Sequence, residues 1–123
     1  ALGLKKRKKD IRCYVVEPQN AAVYAGSITS DGAHKIQGGG YSMNLPLLDK
    51  SLIDGLIQVS DEEATDTARK LAKYEGIFAG FSSGANVCAA LKLLKGAESG
   101  KNIVLTLNDS GLKYLSTDLY EEF

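Results

Sequence analysis

The chain has 123 residues, 44% of them apolar and 24% charged, with 15 basic and 15 acidic side chains and a formal net charge of zero. That is enough for one domain or part of one, and it gives the whole chain no electrostatic pull toward nucleic acid or an anionic membrane. The longest apolar run falls far short of a bilayer span, no segment has the pattern of a signal peptide, and a single histidine with two cysteines excludes a zinc cluster built by this chain alone.

The elements follow in order. Lys5-Lys6-Arg7-Lys8-Lys9 reads as the last turn of a helix starting near Ala1, where cations complement the helix dipole; a nucleic-acid or localisation patch is the sharper alternative. Arg12-Cys13-Tyr14-Val15-Val16, closed by Glu17-Pro18, is predicted to be a buried strand. Asn20–Ala25 reads as a short helix stopping at Gly26. Residues 26–48 carry five glycines and Pro46 without periodicity, which predicts a long and functional loop. Leu56–Val59 is a short strand.

Ser60-Asp61-Glu62-Glu63 has the spacing of a capping box. Ala64, Ala68, Leu71 and Ala72 follow on one helical stripe, with Arg69, Lys70 and Lys73 near the far end. Ile77-Phe78-Ala79 is a strand running into a helix over 84–95, with Val87, Ala90, Leu91 and Leu94 facing inward. Gly96–Gly100 is a turn. Ile103–Leu107, the most apolar run, is predicted to be a strand buried on both faces. From Ser110 onward the chain reads as helical and polar. Strands alternating with helices give an α/β fold, three layers αβα around a mostly parallel sheet of about four strands. Cys13 and Cys88 read as buried thiols of a cytoplasmic protein rather than a disulfide.

Ligands in such sheets sit beyond the carboxyl ends of strands. Two segments occupy that place: Ser82-Ser83-Gly84 after one strand, and Asn108-Asp109-Ser110-Gly111 after another. Ser82 and Ser83 could contact a ligand or merely cap a helix starting near Gly84. Asp109 and Ser110 have the same two readings. The junction glycines Gly76, Gly80 and Gly84 would let a ligand approach the backbone. His34, the lone histidine, invites a general acid/base reading.

Four motifs in this order, Glu17-Pro18, His34-Lys35-Ile36-Gln37-Gly38-Gly39-Gly40-Tyr41, Gly80-Phe81-Ser82-Ser83-Gly84 and Asp109-Ser110-Gly111-Leu112-Lys113-Tyr114-Leu115-Ser116-Thr117, resemble the C-terminal part of cysteine synthase (O-acetylserine sulfhydrylase) and its relative cystathionine β-synthase. Both are pyridoxal-phosphate enzymes with the tryptophan-synthase β type of fold. The resemblance spans essentially all of residues 1–123, which would form an incomplete C-terminal cofactor-binding domain.

The resemblance implies pyridoxal 5′-phosphate as cofactor, with Ser82 bonding the ring nitrogen and Ser83, Asn108 and Asp109 beside it. Gln37, Gly38, Gly40 and Tyr41 would belong to a substrate loop at the mouth of the site. Gly39 stands where the family usually has isoleucine, Tyr41 is closer to the cystathionine β-synthase form of the loop, and Asn108 stands where the family usually has proline. The resemblance gives His34 no catalytic part. No metal is expected.

The implied reaction replaces the acetoxy group of O-acetylserine with sulfide, giving cysteine and acetate; the alternatives are a cystathionine β-synthase or β-cyanoalanine synthase core, with another nucleophile. The family's Schiff-base lysine, its Thr-Ser-Gly-Asn substrate loop and its Gly-Thr-Gly-Gly-Thr phosphate loop have no counterpart in these residues, and Lys35 belongs to a different motif. The expectation is therefore that the chain alone is inactive, with no catalytic residue of its own. Full-length relatives are expected to be homodimers acting on a small amino acid, with serine acetyltransferase as a further partner. A reading of another class is a non-catalytic module that binds a partner half or that acetyltransferase.

Overall fold

The computed structural model describes residues 1–28 and 32–121. Helix α1 covers Leu2–Arg7 and carries Lys5, Lys6 and Arg7 in its last turn, as the dipole requires. Strand β1 is Tyr14–Pro18, two short strands β2 (Ala21–Ala22) and β3 (Ser27–Ile28) form an antiparallel pair, and β4 is Gly55–Val59. Strands β1 and β4 pair in parallel, Tyr14 opposite Gly55 and Pro18 opposite Val59. Both end at the same edge of the sheet, beside the first turn of a helix described below. A short 3-10 turn at Lys50–Leu52, capped by Asp49, leads into β4.

Helix α2 (Asp61–Lys70) starts with both halves of the capping box: Ser60 Oγ accepts from the Glu63 amide at 3.1 Å, and Glu63 Oε2 accepts from the Ser60 amide at 2.9 Å. The chain then widens into a π-type turn over Leu71–Glu75 and stops at Gly76, whose φ of 68° is left-handed. Helix α3 runs from Phe81 to Lys95. It packs on α2 through Gly84: a β-carbon there would stand 2.1 Å from Ala64 O. One core cluster joins Val59, Ala64, Ala85, Cys88, Ala89 and Ile36, with Val16 and Ile57 against it. A second joins Ala68, Phe81, Tyr114 and Leu119.

Several sequence expectations differ from this structure. Asn20–Ala25 is not a helix. The buried Glu17 carboxylate takes the amide protons of Tyr24 (2.9 Å) and Ala25 (3.1 Å), and β2 bonds to β3 instead. The inward stripe of α3 is only partly the expected one: Ala90 is buried as expected and Val87 is half-buried, but Leu91 and Leu94 are exposed, and Ala85, Cys88, Ala89 and Leu93 are buried as well. Close contact with α2 selects small side chains over the middle of the helix, while Leu91 and Leu94 lie on the other side. Ile77–Ala79 contributes only one bridge, Ala79 with Ser110.

Ile103–Leu107 is neither a strand nor buried. Val104 is 97% exposed, because no described segment lies beside it to complete a ladder. The tail forms only a 3-10 turn, Gly111–Tyr114, capped by Ser110. Both cysteines are free; Cys88 is buried, which raises its thiol pKa, whereas Cys13 is only half-buried.

Candidate functional site

A cleft of about 370 Å³ opens where β1 ends and α3 begins. Its size suits a small-molecule ligand. Val16, Ile36 and Ala85 form an apolar wall. Ser82, Asn86 and Asn108 supply polar groups on one side, and Gln37 with Gly38–Gly40 rims the other. Asp109 also reaches it.

The helix start fixes the serines. Gly80 is the N-cap of α3 and no side chain caps it, so Ser82 and Ser83 lie in the first turn rather than before it. Adjacent residues on a helix point about 100° apart, and the two hydroxyls diverge accordingly. Ser82 is half-buried at the cleft; its Oγ accepts from Asn108 Nδ2 at 3.1 Å. Ser83 is fully buried, and its Oγ accepts from the Asn108 amide at 3.0 Å. Gly84, the third residue of this triplet, faces α2 and leaves no room for a ligand.

The loop opposite is held at three points. The Lys35 amide donates to Asp61 Oδ1 at 2.8 Å, Ile36 is buried in the first core cluster, and His34 Nε2 donates to Gly40 O at 2.8 Å. Gly40 has φ of 64°, and a β-carbon on it would stand 2.4 Å from Pro18 Cγ and 2.6 Å from His34 Nε2. Only glycine suits that position. Between the anchors, Gln37 and Gly38 are exposed at the mouth. Ser42, at φ of 52°, turns the chain away, so Tyr41 lies 63% exposed and off the cleft.

Asp109 is held from the far side. Its Oδ2 accepts from Tyr114 Oη at 2.7 Å, while Oδ1 is buried without a hydrogen-bond partner among the described residues. Burial, then that hydrogen bond, push the Tyr114 phenol up to about 12. Phe81 packs edge-on against Tyr114 at 5.4 Å, which ties this corner to the second core cluster.

Of the eight residues singled out in the sequence, Gln37, Gly38, Gly40, Ser82, Asn108 and Asp109 meet at this cleft, and Ser83 and Tyr41 do not. Asn86 also lines the cleft, although no motif names it. Asn86 stands one helical turn beyond Ser82, a spacing that signals a shared face; its Nδ2 donates to Thr106 O at 2.9 Å. Lys35 points elsewhere and pairs with Asp118. Among the described residues no group of three metal-ligating side chains is assembled, and no helix is long and apolar enough to cross a membrane.

A profile of the pyridoxal-phosphate dependent enzyme family matches residues 1–109. The chain belongs to that family. Among curated relatives, cysteine synthase of Buchnera aphidicola subsp. Schizaphis graminum is 46% identical over 124 residues, covering 97% of this chain and 38% of that protein. Cysteine synthase A of Escherichia coli (strain K12) is 44% identical over 122 residues, covering 95% of this chain and 38% of that protein. The crystal structure of cysteine synthase from Entamoeba histolytica superposes with a TM-score of 0.88 at 40% identity, covering 95% of this chain and 34% of that one. The fold is thus the α/β fold of type II pyridoxal-phosphate enzymes. The chain spans less than two-fifths of the length of these curated relatives.

The cleft fits the ring end of pyridoxal phosphate: an apolar wall for a flat heterocycle, one hydroxyl at its edge and a glycine rim without side chains.

Proposed function

We propose that these residues form the C-terminal part of the cofactor-binding domain of an enzyme that makes cysteine from O-acetylserine and sulfide. The observation that carries this reading is the Ser82 hydroxyl, set at the cleft by the first turn of α3 in a chain whose relatives include cysteine synthases. Pyridoxal phosphate, when bound, supplies the electron sink that weakens bonds at the substrate α-carbon.

This chain's residues tune and enclose that chemistry. Ser82 would donate a hydrogen bond to the ring nitrogen while keeping its proton. A hydroxyl leaves that nitrogen neutral, whereas a carboxylate would favour its protonated form. By leaving that nitrogen neutral, Ser82 would favour loss of a good leaving group over longer-lived carbanion chemistry. Val16, Ile36 and Ala85 exclude water from the ring. The 37–40 loop, pinned by His34 and Ile36, covers the mouth and offers the Gln37 amide to the substrate.

No lysine lines the cleft. The lysine that attaches the cofactor and the groups that hold its phosphate belong to other residues of the protein, and the 123 residues alone are inactive.

The test is turnover of O-acetylserine and sulfide by the native-length protein. Ser82→Ala is expected to keep bound cofactor yet slow the reaction about tenfold, the effect of losing roughly one hydrogen bond. Unchanged turnover would remove Ser82 from the ring. The 123-residue chain with added pyridoxal phosphate should show no borohydride-reducible linkage. A reduced adduct mapped to one of its own lysines would refute the claim of inactivity.

A further inference from the structure

The amide of Asn108 lies between two hydroxyls, with its nitrogen on Ser82. Thr106 Oγ1 donates to Asn108 Oδ1 at 2.8 Å, and Asn108 Nδ2 donates to Ser82 Oγ at 3.1 Å. An amide oxygen only accepts and an amide nitrogen only donates. In this arrangement the oxygen faces Thr106 and the nitrogen faces Ser82.

That direction matters for the serine. A hydroxyl has one proton and two lone pairs. With a lone pair of Ser82 taken by the amide, its proton remains for another acceptor. The reverse orientation would draw that proton to Asn108 Oδ1 and leave only lone pairs for the cleft. A neutral pyridine nitrogen is itself an acceptor, so Ser82 could then make no bond to it.

The relay is tied down on both sides. The Asn108 amide N–H donates to the fully buried Ser83 Oγ at 3.0 Å, and Asn86 Nδ2 donates to Thr106 O at 2.9 Å. Segment 106–108 is thus bonded to the first two turns of α3. Proline, which the resembling family usually has at this position, carries neither the backbone N–H nor the side-chain amide. Both ties through Asn108 belong to the asparagine.

We propose that Asn108 is a positioning residue: by donating to Ser82 Oγ, it commits the Ser82 proton to the ring nitrogen of the cofactor. This rests on the reading of Ser82 given above.

The test is the chemical shift of the pyridine nitrogen in native-length protein loaded with 15N-labelled pyridoxal phosphate. Ser82→Ala removes the donor outright. Asn108→Asp keeps the side-chain shape but replaces the NH₂ with an acceptor, which draws the Ser82 proton away from the ring. Thr106→Val takes away the partner of Asn108 Oδ1 and leaves Ser82 as the neighbouring hydroxyl that oxygen can turn to; Thr106 is exposed, so the fold should be unaffected.

Ser82→Ala and Asn108→Asp should displace the resonance downfield by comparable amounts, with Thr106→Val part of the way. In Asn108→Asp, kcat should fall about tenfold with KM within about twofold, one hydrogen bond lost at the ring and none at the substrate. If Ser82→Ala moves the resonance while Asn108→Asp and Thr106→Val leave it in place, the relay is refuted and Ser82 keeps its part. An upfield displacement in Asn108→Asp also refutes the relay, since residue 108 would then face the ring itself. If Ser82→Ala leaves the resonance unmoved, the reading of Ser82 fails, and the relay with it.

Discussion

Gly84 of α3 lies directly against the backbone of Ala64 in α2: a β-carbon on the glycine would stand 2.1 Å from Ala64 O and 2.9 Å from Ala68 Cβ. Neither neighbour can give way without moving a helix. Gly84→Ala should therefore destabilise the fold by about 1–3 kcal/mol, read as a lower urea midpoint with an unchanged slope. Because Gly84 faces α2 and not the cleft, cofactor affinity should fall only as far as the folded fraction does. A Gly84→Ala protein of normal stability that has lost the cofactor would place this glycine at the ligand.

Two neighbouring glycines of the 37–40 loop should respond in opposite ways. At Gly39 an added β-carbon meets nothing within 4 Å, whereas at Gly40 it would overlap Pro18 and His34 on a backbone of positive φ. Gly39→Ile, the residue the resembling family usually has there, should be neutral or stabilise by up to about 1 kcal/mol through a less flexible unfolded chain. Gly40→Ala should release the loop and raise KM. Thermal denaturation and substrate titration of the two variants check this. Equal behaviour of both would mean the loop is not pinned by His34.

The Tyr114–Asp109 hydrogen bond should be visible in alkali. The phenol ionises at about 12 in the fold and near 10 in an unfolded chain. A raised pKa gives a contribution complete below about pH 10 and lost as pH climbs through the folded value. Tyr114→Phe should delete the last component of an ultraviolet alkaline titration and flatten the stability loss in that window. At neutral pH it should cost about 1 kcal/mol for the lost bond. Tyr14 and Tyr120 are also shifted upward, so the component is read as the difference between the two proteins. Identical titration curves would contradict the assignment.

At the acid end Glu63 is the group to watch. The Lys92 ammonium at 2.8 Å and the Ser60 amide at 2.9 Å lower its pKa. A lowered pKa gives a contribution present above the ordinary carboxylate value and lost as pH falls through the folded one. Glu63→Gln should make stability less sensitive to acid below about pH 4.5. The Lys92 part should fade in salt, since Glu63 is 41% exposed. Ser60→Ala should cost about 1 kcal/mol at every pH. Chemical denaturation from pH 3 to pH 7 separates the two effects.

Much of this architecture was readable in the residues because local rules decide it. The capping box depends on two side chains three positions apart, and strands β1 and β4 on apolar runs with clear ends. What failed depended on partners far away in sequence. The phase of α3 followed the small residues Ala85, Cys88 and Ala89 that fit in its core, not Leu91 and Leu94. Ile103–Leu107 has strand composition, but a ladder needs a second strand beside it, and none of the described strands pairs with this segment. The turn at 20–25 was decided by one buried carboxylate, Glu17. At the cleft, the identity of Ser82 and the 37–40 loop came from motif resemblance. The divergence of Ser83 from Ser82 came from a helix that begins at Phe81, three residues earlier than the glycine suggested. The Thr106–Asn108–Ser82 relay joins the end of one unpaired segment to a helix start, and no local pattern marks it.

The distance from Ser82 Oγ to the pyridine nitrogen, in a crystal structure of the native-length protein with pyridoxal phosphate bound, tests the reading most directly. A separation of at most about 3.2 Å, with the Asn108 amide still on the serine, is the predicted result. A ring nitrogen facing another group, with Ser82 Oγ beyond about 4 Å, would contradict it.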